Sequence, residues 1–140
     1  MASQDIDDLR EREKELNCLY RIIQILKDEG KDTEDLLKEV VQEIPYGWRY
    51  PGICMVKMIY QDKQLTTPYF FETKWYQSAG IVVDEKVMGE IRVYYAENVT
   101  GDFDTLFLPE EYYLLKNIAN QVSLFIFNRR LRDTMGYLEK

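Results

Sequence analysis

The chain contains no histidine, only two cysteines (Cys18 and Cys54), no block of basic residues and no long apolar run. Each absence excludes a class of chemistry. Without histidine there is no phospho-accepting histidine, no Ser-His-Asp or Cys-His catalysis, no histidine-ligated haem, and none of the usual catalytic zinc sites. Two cysteines alone build neither a structural zinc site nor a disulfide scaffold. Clustered Lys and Arg, the electrostatic footprint of nucleic-acid binding, are missing. No stretch approaches the ~20 apolar residues of a membrane span. The start, Met1-Ala2-Ser3-Gln4-Asp5, is acidic and unlike a signal peptide. The expectation is a reduced, cytoplasmic domain with no nucleic-acid partner, no membrane span, no metal and no resident cofactor.

What is present suits one core. The chain has 140 residues, 46% of them hydrophobic and 14% aromatic, which fills one domain and argues against disorder. The net charge of −7 is unevenly placed. Residues 1–44 hold 13 acids and 7 bases, whereas residues 45–100 balance. The signs alternate in the first third, as on a solvated helix face.

The pattern predicts helices, then strands, then a helix. Residues from Ser3 or Gln4 to about Glu29 read as one long helix. Leu9, Leu16 and Ile23 recur every seven residues, with Leu19 and Leu26 beside them, an a/d seam interrupted by Arg12. Gly30 is placed to end that helix in a left-handed conformation. Asp32 or Thr33 then caps a second helix to about Ile44, with Leu36, Leu37, Val40, Val41 and Ile44 as its buried stripe. Two prolines and two glycines break the chain at residues 45–52, where Tyr46, Trp48 and Tyr50 suggest a connection packed on the core. Strands are predicted at Ile53–Tyr60, Gln64–Thr67, Trp75–Val83 and Val87–Ala96, with turns at residues 61–63 and 84–86. Gly89 suggests a bulge or close packing, and Val87, Gly89, Ile91, Val93 and Tyr95 should share the core face. Glu97–Leu108 reads as a loop. Pro109-Glu110-Glu111 opens the last helix, whose inner stripe is Leu115, Ile118, Val122, Phe125 and Ile126. A second stripe, Leu124, Leu131 and Leu138, continues past the expected globular body. The fold class is therefore α+β: an antiparallel sheet of about four to five strands with the N- and C-terminal helices on one face.

Several stretches resemble GAF domains. Glu15-Leu16-Asn17-Cys18-Leu19-Tyr20 is similar to an ELxxLY-type opening of the first helix. Ile44-Pro45-Tyr46-Gly47-Trp48-Arg49-Tyr50-Pro51 resembles the IPxGWxYP linker of one GAF subgroup. Phe71-Glu72-Thr73-Lys74-Trp75-Tyr76-Gln77-Ser78 and Gly89-Glu90-Ile91-Arg92-Val93-Tyr94-Tyr95 resemble its strands, and Phe107-Leu108-Pro109-Glu110-Glu111 the start of its last helix. The likeness covers roughly residues 10–130. It implies a sensory or regulatory domain upstream of an output module such as a histidine kinase. It also implies dimers made by laying first and last helices into a parallel bundle. The chain lacks the Asn-Lys-Phe-Asp-Glu motif of cyclic-nucleotide GAF domains. Only Pro68–Lys74 stands where ligand-binding members carry extra helices.

The ligand-binding candidates follow from strand phase and that resemblance. Lys57, Glu90, Arg92 and Tyr94 should lie on the sheet face away from the helices, with Tyr60 and Trp75 or Tyr76 as aromatic walls. They form either a shallow pocket for an anionic or polar ligand or a solvated face with cross-strand ion pairs. Trp48 and Tyr50 either line a ligand mouth or anchor the linker. Cys18 and Cys54 are redox-active or simply buried, and Glu110 and Glu111 act as acids or as helix-start charges. The candidate dimer interface is Leu9, Leu16, Leu19, Ile23, Leu26, Leu124, Leu131 and Leu138. The same seam can instead pack on the body of its own domain.

The expected organisation is a signalling or dimerisation helix at 1–29, a GAF-like domain at 31–130, and the start of a linker helix at 131–140. The unfinished last stripe suggests the N-terminal piece of a larger signalling protein. The expected function is a non-catalytic sensory domain, dimeric through its terminal helices, with an attached or partner output domain. A ligand-free dimerisation scaffold is the alternative, and a small redox enzyme of the same fold a minor one.

Overall fold

The computed structural model describes the backbone of residues 2–139 and the side chains of residues 5–136. The element order is α1 (Ala2–Leu26), α2 (Thr33–Glu43), β1 (Cys54–Tyr60), β2 (Lys63–Thr66), β3 (Tyr76–Val83), β4 (Lys86–Tyr95), α3 (Phe103–Leu106) and α4 (Pro109–Glu139). Two 3-10 turns, Ile44–Gly47 and Pro51–Ile53, connect α2 to β1. The strands form one antiparallel sheet in the order β2-β1-β4-β3, so the first and last strands are central. The fold is α+β, as the pattern predicts.

Local chemistry explains the elements. The Asp32 side chain accepts from Asp35 N at 2.9 Å and caps α2. The predicted α2 stripe is buried, and so is the inner stripe of α4. Asp84 (φ 52°) and Glu85 (φ 65°) are both left-handed, the geometry of a two-residue turn that matches strand twist between β3 and β4. α2 lies against β1 and β2, and α4 against β3 and β4. α1 packs on α2, α4 and the first 3-10 turn. Arg12 meets Glu110 at 3.3 Å, and Arg129 donates to the carbonyls of Asp28 and Lys31 at 2.8 Å each. These contacts join the middle of α1 to the start of α4, and the chain just past α1 to the later part of α4, so the two helices run side by side in the same direction.

The linker is packed rather than loose. Trp48 is fully buried and Tyr50 half-buried, while Tyr46 is exposed. Gly47 presses on α1: a Cβ there would fall 2.8 Å from Cys18 Sγ. Glu111, fully buried, gathers this region. Its carboxylate accepts from Arg49 N at 2.7 Å, from Leu108 N at 2.6 Å and from the Tyr95 hydroxyl at 3.1 Å. Glu111 is thus both a helix-start residue and the tie between linker, β4 and α4.

Three expectations need correction. α1 stops at Leu26, and Gly30 does not end it in a left-handed conformation; the glycine with positive φ is Gly101. The end instead tightens through Lys27 N to Gln24 O and Asp28 N to Ile25 O, and Arg129 covers the next carbonyls. In α1 the residues buried most fully are Glu15, Cys18 and Ile22, while the leucine seam divides: Leu19 and Leu26 pack on the core, and Leu9 and Leu16 are exposed. Val87 is exposed because β4 carries a bulge: Ile81 pairs with Gly89 and Val82 with Val87, leaving Met88 as the extra residue. Met88 packs against the core in its place. The stretch after β4 is not all loop, since Asp102 caps the short helix α3 through Asp104 N at 3.0 Å.

Candidate functional site

Strand alternation builds the site. Val56 and Met58 of β1 and Ile91, Val93 and Tyr95 of β4 enter the core beneath the helices. Their neighbours Met55, Lys57 and Ile59, and Glu90, Arg92 and Tyr94, project from the other face. Register sets Lys57 beside Arg92, and Tyr76 beside Tyr94. Of the predicted ligand residues, Lys57, Tyr76, Glu90, Arg92 and Tyr94 therefore come together. Tyr60 and Trp75 do not: both pack against the helix-side core. Tyr60 shares the phase of Val56 and Met58, and Trp75 that of Ala79 and Ile81, so neither walls the opposite face.

The face is not open. Residues 67–75, between β2 and β3, cross it as a strap. Thr67 anchors one end: its N donates to Val56 O, and its Oγ1 accepts from Val56 N, both at 3.1 Å. Thr73 anchors the other, donating to Tyr95 O at 2.8 Å. Between them Phe70 sits edge-on to Tyr94, ring centroids 5.1 Å apart, and Glu72 pairs with Lys57. The Tyr94 hydroxyl donates to the other Glu72 oxygen at 2.8 Å. Under this cover Lys57 is only 8% exposed and Tyr94 is fully buried, so β1 is buried on both faces.

The electrostatics form one chain. Arg92 donates to Glu90 at 2.8 Å and to the Tyr94 hydroxyl at 3.4 Å, and its guanidinium lies 5.2 Å from the Tyr76 ring centroid. Tyr94 passes its own proton bond to Glu72. The Lys57 hydrogen bond, then that of Tyr94, holds the Glu72 carboxyl below its usual range. Glu72 in turn raises Lys57, while burial raises the Tyr94 hydroxyl. A lowered carboxylate stabilises the fold above its unfolded value, and that contribution is lost as pH falls through the lowered value. Lys57 of β1 and Arg92 and Tyr94 of β4 are the groups facing it. NMR signals of residues 68–75 should shift with a midpoint below about 4.3, the ordinary glutamate value. A midpoint at or above that value would contradict the pairing.

The sequence pattern does not single out Phe70, Glu72 or Met55 as site residues. A signal was present: Phe70 and Glu72 are two apart in an extended stretch, the spacing that turns both toward one surface. What the periodicity does not carry is the strap's path back across the sheet.

A second surface lies on the helices. Leu9 and Leu16 are 68% and 69% exposed, and Leu124 and Leu131 are 54% and 49% exposed. Leu19, Ile23 and Leu26 are half-buried, with Leu19 and Leu26 packed on the core. The side chain of Leu138 lies outside the described residues. A cleft of about 440 Å³ runs between α1 and α4, lined by Ile23, Leu26, Leu124, Phe125, Arg129 and Arg132 among others.

Cys18 and Cys54 are free and buried. Burial pushes the Cys18 thiol up to about 12 and Cys54 well above its usual value, so both are protonated and weakly nucleophilic at neutral pH. Among the described residues no group of three or more Cys, Asp or Glu side chains is placed to hold a metal ion. No helix is long and apolar enough to cross a membrane among the described residues. No protein-family model matches the chain, and no curated protein matches it in sequence.

Proposed function

We propose that this chain is a sensory or regulatory domain of the GAF type that pairs with a second copy of itself through α1 and α4. The observation that carries the reading is the exposed leucine stripe at Leu9, Leu16, Leu124 and Leu131. Solvated monomers rarely leave so many large apolar side chains on two adjacent helices. The seven-residue spacing on both helices suits a parallel bundle with a second copy, because a heptad stripe keeps facing its partner along its length. The parallel course of α1 and α4 lets a small shift of one bundle reach the far end of α4. The cleft between them, in which Ile23, Leu26, Leu124 and Phe125 stand among Lys27, Glu29, Arg129 and Arg132, would be covered by the same pairing. The GAF reading rests on the wording of the linker and strands, on the α+β layout, and on the polar cluster on the sheet face. An output domain of a signalling protein, such as a histidine kinase, is the proposed recipient of the signal.

One observation favours a second reading, a pairing module that takes no ligand. The chain's own Phe70 and Glu72 already fill the sheet face.

The pairing is tested by charge. Leu16→Glu and Leu124→Glu each remove a leucine from both copies, at ~1.5 kcal/mol or more per copy, which amounts to about a 100-fold weaker dimer. Both positions are exposed in the single chain, so far-UV circular dichroism should stay unchanged. Sedimentation equilibrium that gives both variants the association constant of the unmodified chain would overturn the assignment.

A further inference from the structure

The strap has the composition of a ligand. Phe70 supplies an aryl ring against Tyr94, and Glu72 supplies a carboxylate to the Lys57 ammonium and the Tyr94 hydroxyl. Lys57 also lies 5.8 Å from the Phe70 ring centroid. The receiving groups are covered and stand on the two central strands. The delivering groups stand on a segment without regular secondary structure. The intervening side chains do little to hold it down: Tyr69 is 97% exposed, in a left-handed conformation (φ 60°), and Phe71 is also exposed. The Glu72 side chain is itself 58% exposed, against 10% for its Lys57 partner. The site is therefore better built for a carboxylate than the carboxylate now in it is buried by the site.

We propose that Phe70 and Glu72 are a tethered competitor, and that the site beneath them takes a small aromatic carboxylate which displaces the strap. The inference rests on the reading of this domain as a sensor and names its ligand class and its switch. Ligand carboxylate replaces Glu72 on Lys57 and Tyr94. Ligand ring replaces Phe70 against Tyr94. Tyr76, tilted against Tyr94 with ring centroids 5.1 Å apart, and Arg92, over the Tyr76 ring and bonded to the Tyr94 hydroxyl, border the vacated space. No bond is made or broken, and the site exchanges one carboxylate for another. A ligand bound only when the strap opens has its apparent affinity reduced by the open fraction, so loosening the strap should tighten binding.

Phenylacetate is the probe, and uncharged phenylacetamide its control. Binding is read by NMR titration, and strap release by trypsin cleavage after the exposed Lys74. Glu72→Gln should bind phenylacetate about tenfold more tightly than the unmodified chain, because its competitor has lost its charge. Phe70→Ala should act in the same direction. Lys57→Gln should abolish binding, and phenylacetamide should bind none of the forms. Phenylacetate should speed cleavage after Lys74 in the unmodified chain. Equal affinity of the unmodified and Glu72→Gln chains, no binding to Glu72→Gln, or binding that leaves Lys74 cleavage unchanged would each overturn the proposal. Dimerisation is measured separately, on the other side of the sheet, so failure of either claim is recognisable without the other.

Discussion

Glu111→Ala is expected to cost about 3–5 kcal/mol of folding stability, since it orphans one buried and two part-buried donors at ~1–3 kcal/mol each while relieving part of a charge burial. The donors are Arg49 N, Leu108 N and the Tyr95 hydroxyl. They belong to the linker, the start of α4 and the last residue of β4, so one truncation loosens three elements. Burial raises the Glu111 carboxyl above its usual value, and that is why the loss falls short of the sum for three charge-assisted bonds. Glu111→Gln should lie between the parent and Glu111→Ala, because its amide nitrogen faces a donor where the carboxylate offered an acceptor. Urea unfolding at neutral pH reads both. A Glu111→Ala chain within about 1 kcal/mol of the parent would mean the hub is not structural.

Gly89→Ala should be at least as damaging. A Cβ at that position would overlap the Ile59 carbonyl oxygen and sit 2.9 Å from the Ile59 carbonyl carbon and 3.1 Å from Tyr60 Cα. All three are backbone atoms of β1, the strand's central partner, and no rotamer change clears them. The expected loss is about 3 kcal/mol or more, as for severe overpacking. Gly80→Ala on β3 is the matched control. Its nearest contact would be Val82 Cγ2 at 3.9 Å, an ordinary distance, so it should be neutral or slightly stabilising. Equal thermal midpoints for the two variants would show that β1 and β4 part more easily at Gly89 than their pairing implies.

The residues that made the fold legible are those whose burial is periodic. Leu36, Leu37, Val40 and Val41, and Leu115, Ile118, Val122 and Ile126, are apolar at helical spacing and are buried as read. The strands are legible from alternation, which also places Lys57, Arg92 and Tyr94 on one face. α1 misleads because its inward side is the less apolar-looking one. Glu15 is buried there in a bidentate pair with Arg12, at 2.8 and 3.0 Å, so the residue that breaks the leucine seam neutralises a buried acid. Val87 misleads because one bulged residue reverses the phase of the strand end. The two-residue spacing of Phe70 and Glu72 is legible, but their place over the sheet is not, because nothing local dictates that a loop folds back across it. Tyr60 and Trp75 do not belong with the site residues, and alternation alone says so: Tyr60 is in phase with Val56 and Met58, and Trp75 with Ala79 and Ile81.

Sedimentation velocity of the unmodified chain across a concentration series tests the central claim most directly. Pairing through α1 and α4 requires a species of twice the 16.8 kDa chain mass that grows with concentration and is lost in Leu16→Glu. A single 16.8 kDa species at every concentration would contradict it.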